Sequence, residues 1–255
     1  MKIATWNVNS LRVRLPHVLD WLERERPDVL ALQETKTEDE NFPESALAAA
    51  GYWSVYSGQK AYNGVAVLSR EQALDSVTDL VGWDDPQRRI LAVTVDGCRI
   101  VNLYVPNGSE VGSDKYAYKM NWLNRVGSWL RNEIANQSRL VVLGDFNIAP
   151  EDRDVHDPDA WKDKVLCSVP ERNAFESWIG MGLVDTFRLF DQMDRTYSWW
   201  DYRMNGFRRN LGLRIDHILA SSALASDCVS CRVDVEPRKL ERPSDHAPVI
   251  AVFEV

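Results

Sequence analysis

The chain has 255 residues, 45% of them apolar and ten of them tryptophan, which is enough to bury a sizeable core. Its formal charge of −8 weakly disfavours a polyanionic partner, although net charge describes the whole surface whereas binding depends on local patches. No apolar stretch approaches the roughly 20 residues that span a bilayer, and the N-terminus lacks a signal-peptide pattern, so a cytoplasmic protein with no membrane partner is expected.

No linker or low-complexity tract divides the sequence, so a single domain over residues 1–255 is expected. Four scattered cysteines do not make a disulfide framework. The lone pair Cys228-x-x-Cys231, with no second pair or nearby histidine, reads as ordinary reduced thiols rather than a zinc site.

Residues 2–8 alternate as an opening strand. Residues 11–26 carry Leu15, Val18, Leu19 and Leu22 at helical spacing, with Pro16 suited to the first helical turn. Pro27-Asp28 ends that helix, and residues 29–32 read as a short buried strand running into Gln33-Glu34. This β-α-β opening predicts a parallel strand pair. Residues 53–56 and 65–68 follow as strands, and residues 89–95 and 98–105 flank Asp96-Gly97, a two-residue hairpin signal. A helix is predicted over about 116–136, with Tyr118, Trp122, Val126, Trp129 and Ile134 as its buried stripe, then a strand over 139–143. Residues 149–170, rich in Asp and Pro, read as an irregular surface loop. A helix over 171–181 and strands over 197–200, 214–219 and 249–255 complete the pattern, which predicts an α/β or α+β sandwich with helices outside mixed sheet.

Several predicted strands end in polar groups: Asn7, Asn9, Glu34, Tyr104, Asp145, Asn147, Asp216, Asp245 and His246. Carboxylates with no cysteine among them favour a hard cation, Mg²⁺ or Mn²⁺, over zinc. Singly, each has a plainer role, since a strand-end Asp often caps a turn and Asn147 can shape a loop. His17 reads as a surface or core-edge residue and His156 as solvated, while strand alternation turns His217 away from any site containing Asp216.

The blocks Thr5-Trp6-Asn7-Val8-Asn9-Ser10-Leu11-Arg12, Leu32-Gln33-Glu34-Thr35-Lys36, Gly144-Asp145-Phe146-Asn147-Ile148-Ala149-Pro150, Gly212-Leu213-Arg214-Ile215-Asp216 and Ser244-Asp245-His246-Ala247-Pro248 span nearly the whole chain. In this order they resemble the signature blocks of the exonuclease III family of DNA-repair nucleases. The resemblance implies a four-layer αββα sandwich, two packed mixed β-sheets between helices. It also implies Mg²⁺-dependent hydrolysis of double-stranded DNA at 3′ ends (exonuclease and 3′-phosphatase) or at abasic sites, by a monomer. By matching motif, Glu34 would be the principal metal ligand, with Asp245 and Asn7 serving the metal site. Asp145 would activate the attacking water, positioned by Asn147. Asn7, Tyr104, Asn147 and His246 would hold the scissile phosphate, and Asp216 would support His246. Asn9 stands where some relatives carry a ligating Asp, so one metal is expected rather than two.

Residues 199–214 interleave arginines with aromatics, a combination suited to phosphate contacts and base stacking. Arg203, Phe207 and Arg208 are the expected DNA contacts, and by the resemblance Trp199, Leu213 and Ile215 would form an apolar pocket for an abasic sugar. Arg88, Arg89, Lys115, Lys119, Arg238, Lys239 and Arg242 would add a basic face. The loops at 105–116 and 149–170 would set the balance among substrates. Two rivals share the pattern: a non-DNA phosphodiesterase of the same fold, and a silent nucleic-acid-binding relative, which predicts missing ligands that are present here.

Overall fold

A computed structural model describes residues 1–254. The strands in chain order are β1 (Lys2–Asn7), β2 (Val29–Gln33), β3 (Trp53–Ser57), β4 (Val65–Ser69), β5 (Leu74–Val77), β6 (Ile90–Val95), β7 (Cys98–Tyr104), β8 (Leu140–Asp145), β9 (Leu183–Asp185), β10 (Trp199–Trp200), β11 (Gly212–Leu213), β12 (Asp216–Ser221), β13 (Cys228–Val233) and β14 (Val249–Phe253). The helices are α1 (Leu11–Glu25), α2 (Glu44–Ala49), α3 (Asp114–Asn136), α4 (Pro158–Trp161), α5 (Val169–Ile179) and α6 (Ser222–Ala225). One six-stranded sheet runs β13-β14-β1-β2-β4-β3, the other β5-β6-β7-β8-β12-β9, and β10-β11 form a short ribbon. Both large sheets are mixed: β1/β2 and β7/β8 are parallel and the other pairs antiparallel.

The fold has four layers, as the family resemblance implies. Alternating inward residues such as Ile3, Val29, Val93, Ile100, Val141 and Ile218 form the core between the sheets. On the outer faces, α1 packs Val18, Trp21 and Leu22 on the first sheet, while α3 and α5 pack Trp122, Val126 and Trp178 on the second. Among the described residues no helix is long and apolar enough to cross a membrane.

Strand direction gathers the polar residues. Asn7 and Gln33 pair at the C-terminal ends of parallel β1 and β2, and Tyr104 pairs with Asp145 at the ends of parallel β7 and β8. Asp216 opens β12, which runs antiparallel, so it too pairs with Asp145. A buried polar lock sets the offset between sheets: Asn102 Nδ2 donates to the Leu32 and Ala66 carbonyls, both at 2.9 Å, and its Oδ1 accepts from Gln33 Nε2 at 2.7 Å. Directional bonds of this kind fix one register where apolar packing alone tolerates sliding.

The hairpin at Asp96-Gly97 forms as its dipeptide predicts, with both residues at positive φ (48° and 69°). Other expectations need correction. Pro16 lies in the second turn of α1 rather than the first. In α3 the fully buried stripe is Tyr116, Lys119, Trp122, Leu123, Val126, Gly127 and Leu130, whereas Tyr118, Trp129 and Ile134 are half-buried at its margin. The segment 149–170 is not simply a surface loop. Ala149, Val155, Leu166 and Cys167 close a small core of their own with Leu213 and Ile215. Val255, the last residue of the strand expected over 249–255, lies outside the described residues. Cys228 and Cys231 are free thiols on the edge strand β13.

Gly144, one residue before Asp145, is irreplaceable on geometric grounds. Its φ is +141°, and a Cβ there would meet the Leu103 carbonyl oxygen at 1.9 Å. Gly144→Ala should therefore lower stability by at least about 1–3 kcal/mol, the usual cost of a strained backbone position. Calorimetric unfolding checks this, and a melting temperature equal to the wild type's would refute it.

Candidate active site

The strand ends deliver a connected cluster. Asn7 Nδ2 donates to both Glu34 Oε1 and Asp145 Oδ2, each at 2.9 Å. Tyr104 donates its hydroxyl to Glu34 Oε1 at 2.9 Å, and Lys36 Nζ lies 2.8 Å from Glu34 Oε2. Asn147 donates its main-chain N–H to Asp145 Oδ1 at 2.9 Å, and its side-chain amide lies 3.2 Å from Asp145 Oδ2. His246 Nδ1 faces Asp216 Oδ2 at 2.9 Å, while its Nε2 lies 3.8 Å from Asp145 Oδ2. Asp216 is oriented in turn by Ser198 Oγ at 2.6 Å.

Several residues of the cluster share a backbone conformation that also occurs at turns elsewhere in the chain. Asn9, Glu34, Lys36 and Asn147 all occupy the left-handed region, with φ of 43°, 52°, 52° and 49°. Such conformations cost about 1–3 kcal/mol each and persist where the surroundings enforce them, which is common at functional sites.

Burial works against the charge on His246, but the Asp216 and Asp145 carboxylates outweigh it and lift its pKa to about 10. At neutral pH His246 is therefore an imidazolium. Burial pushes Asp145 up to about 7. Burial also opposes the charge on Glu34, yet the Lys36 ammonium and the Asn7 amide hold its carboxyl below the usual value. Burial, then the neighbouring Glu34, raise the Tyr104 phenol well above its ordinary range, so it acts as a hydrogen-bond donor. Perturbations concentrated in one cleft mark a functional site.

Glu34, Asp145 and His246 each place a ligand-capable atom within 4.8 Å of the others. Two of the three are carboxylates, and the His246 ring is engaged by Asp216 through Nδ1, so the oxygen donors suit a hard divalent cation. Asn7, expected to serve a metal, instead turns its amide nitrogen to the two carboxylates, while its oxygen accepts from the Asn9 N–H at 3.0 Å. In this arrangement it aligns the carboxylates. Asp245 lines the same cavity, but its oxygens are held by Asn9 Nδ2 at 2.9 Å and Trp199 Nε1 at 3.0 Å, and it lies outside the converging trio. Burial opposes its ionisation, and His246 with these two donors keeps its carboxyl low. Lys36 Nζ donates to Asn9 Oδ1 at 2.6 Å, so a cationic group already faces position 9.

The cluster opens into a cavity of about 320 Å³ with a polar side and an apolar wall of Trp161, Val165, Leu166, Trp199 and Ile215. Of the expected pocket residues, Trp199 and Ile215 reach it, whereas Leu213 is fully buried behind it, paired with Trp199. Arg203 lines the rim, its guanidinium held by Asp201 at 2.6 Å. Arg208 is exposed but lies outside the cavity lining. Phe207 is no free stacking surface, since it packs edge-on against Trp200 beneath Arg238.

The expected basic face also thins. Arg89 is buried against the Tyr104 ring, Arg238 is buried over Trp200 and Phe207, and Lys119 is wholly internal. Arg214, one of the interleaved arginines, is buried between Asp154 (2.6 Å) and Asp185 (2.8 Å). Arg88, Lys115, Lys239 and Arg242 keep their outward positions, fully or in part.

His217 points away from the site as alternation predicts, bonding the Ile148 carbonyl at 2.9 Å and Arg214 at 3.0 Å. His156 is not solvated but half-buried, facing the Gly212 carbonyl at 3.2 Å. Sequence reasoning missed Asn107, whose amide donates to Asn147 Oδ1 at 3.0 Å and which lines the cavity. An Asn-Gly pair after a strand reads as a turn, so its second role carried no separate signal.

Residues 4–246 match the model of the endonuclease/exonuclease/phosphatase family. The exodeoxyribonuclease III of Haemophilus influenzae is 36% identical over 270 residues, covering 99% of this chain and all of that protein. The structure of a 3′ phosphatase, NExo, from Neisseria bound to a product DNA hairpin superposes with a TM-score of 0.98 at 48% identity, covering both chains fully. That of an AP endonuclease from Archaeoglobus fulgidus superposes at 0.96 with 41% identity, again over the whole of both chains. Strand-end chemistry, fold and full-length similarity agree: the chain belongs to the endonuclease/exonuclease/phosphatase family, beside exodeoxyribonuclease III.

Proposed function

We propose that the chain is a DNA-repair phosphodiesterase that uses Mg²⁺, with Mn²⁺ able to substitute, to hydrolyse double-stranded DNA at 3′ ends and at abasic sites. The observation that carries this reading is the convergence of Glu34, Asp145 and His246 at one point, with His246 Nε2 3.8 Å from Asp145 Oδ2 and its Nδ1 held by Asp216 at 2.9 Å. Asp145 accepts the proton of the attacking water, and Asn147 orients that water beside it. The His246 imidazolium, held by Asp216, donates a hydrogen bond to a phosphate oxygen as negative charge grows there. Asn7 and Tyr104, whose protons hold the Glu34 and Asp145 carboxylates in this structure, reach the remaining phosphate oxygens by exchanging those bonds when substrate enters. Glu34 would hold a divalent cation, which when bound would supply charge neutralisation for the phosphate and the leaving oxygen.

The names of the relatives support the substrate: an exodeoxyribonuclease, a 3′ phosphatase bound to DNA and an AP endonuclease. The apolar wall beside the phosphate-binding groups has the character needed for a base-free sugar or a terminal nucleotide. Every group in the cluster comes from one chain, so a monomer suffices for the chemistry.

A direct test incubates the protein with a duplex carrying a recessed 3′ end, and separately with a phosphoinositide, in Mg²⁺ and in EDTA. Shortening of the DNA in Mg²⁺ alone, with the lipid intact, is expected. Lipid hydrolysis with intact DNA would overturn the reading.

A further inference from the structure

Beneath the catalytic cluster lies a wholly buried ion pair that the reaction scheme does not use. Lys119 and Glu171 are both 0% exposed, and their charged groups meet at 2.5 Å. The other two ammonium protons go to main-chain carbonyls, Asn147 O at 2.6 Å and Asn107 O at 3.2 Å. Among the described residues no main-chain N–H donates to either carbonyl. Glu171 accepts from the Leu166 N–H and the Ser168 N–H, each at 3.0 Å, and from Ser168 Oγ at 2.5 Å. One ion pair thus ties together three segments: the loop after β7, the loop after β8 and the loop carrying the cavity wall.

Burying such a pair does not in itself stabilise a fold, because desolvation offsets the Coulomb attraction and apolar residues of similar size often do as well. Apolar residues cannot, however, hold two carbonyls in fixed places. The two residues so held are asparagines that line the cavity and bond each other at 3.0 Å, and Asn147 keeps a left-handed backbone (φ 49°).

We propose that Lys119 and Glu171 form a positioning pair for the reaction, the ammonium setting the main chain at Asn107 and Asn147 and the carboxylate setting the cavity wall at Leu166. This rests on the phosphodiesterase reading above. The side-chain amides of both asparagines then meet the phosphate and the water at fixed distances, which a displacement of about 1 Å would spoil at a cost of up to about 100-fold in rate.

The test separates positioning from stability. Lys119→Met removes all three donors and strands the Glu171 carboxylate, so it should lower both the melting temperature and kcat. The double variant Lys119→Met with Glu171→Gln removes the stranded charge as well, and its melting temperature should rise above the single variant's while kcat on a recessed 3′ end in Mg²⁺ stays low, with little change in KM. Recovery of kcat together with stability would overturn the proposal. So would wild-type kcat in either variant; Lys119→Met, assayed below its melting temperature, decides the matter should the double variant not fold. Wild-type protein inert on this DNA would refute the phosphodiesterase reading itself, a different failure.

Discussion

Replacing Asp145 by Asn should abolish turnover while leaving DNA binding intact. The substitution keeps the side chain's shape and its neighbours Asn7 and Asn147, both within hydrogen-bond distance of the carboxylate. What it removes is the proton acceptor and one anionic oxygen of the cluster. Loss of a central electrostatic group in such sites costs about 10²- to 10³-fold in rate, and here one residue carries two duties. Binding should hold or tighten, because a negative charge facing the phosphate is removed. Single-turnover cleavage of a recessed 3′ end, beside fluorescence anisotropy with the same duplex at fixed salt, reads both quantities. Turnover within tenfold of the wild type's would exclude Asp145 as the base.

Asp216→Asn should move the alkaline limit of activity. His246 has its pKa raised to about 10, so the imidazolium is fully present at neutral pH and is lost as pH climbs through that value. Asp216 is the foremost group raising it, and burial opposes the charge. With Asp216 neutral, the pKa should fall towards or below the ordinary histidine value of about 6.5. At pH 9 the charged fraction would then drop from about nine-tenths to below about one-hundredth, a loss of about 100-fold in rate, with a much smaller loss at pH 6. A variant slowed equally at both values would show that Asp216 orients the ring without setting its charge.

Much of this site was legible because its residues stand at strand ends. Asn7, Glu34, Tyr104 and Asp145 each close an apolar run, and two parallel pairs point those ends the same way. Asp216 and His246 join them only because β12 and β14 run antiparallel to β8 and β1, which no local pattern states. Lys119 reads as solvated from the sequence, because it is a lysine on an amphipathic helix and its partner lies 52 residues away. Phe207 reads as a DNA contact, and Arg214 as part of the same basic run, because interleaved arginines and aromatics look alike whether they face solvent or close a core. The edge strands β5 and β13 lack a clean alternation, with mostly exposed residues and an irregular register, so they left no signal.

The central claim is that this cavity processes the 3′ ends of DNA. Two duplexes, one with a recessed 3′ end and one with an internal abasic site, given the same enzyme concentration in Mg²⁺, test it most directly. The expected result is trimming of the recessed end, accompanied by slower abasic incision. Strong incision at the internal abasic site with no trimming of the 3′ end would contradict it.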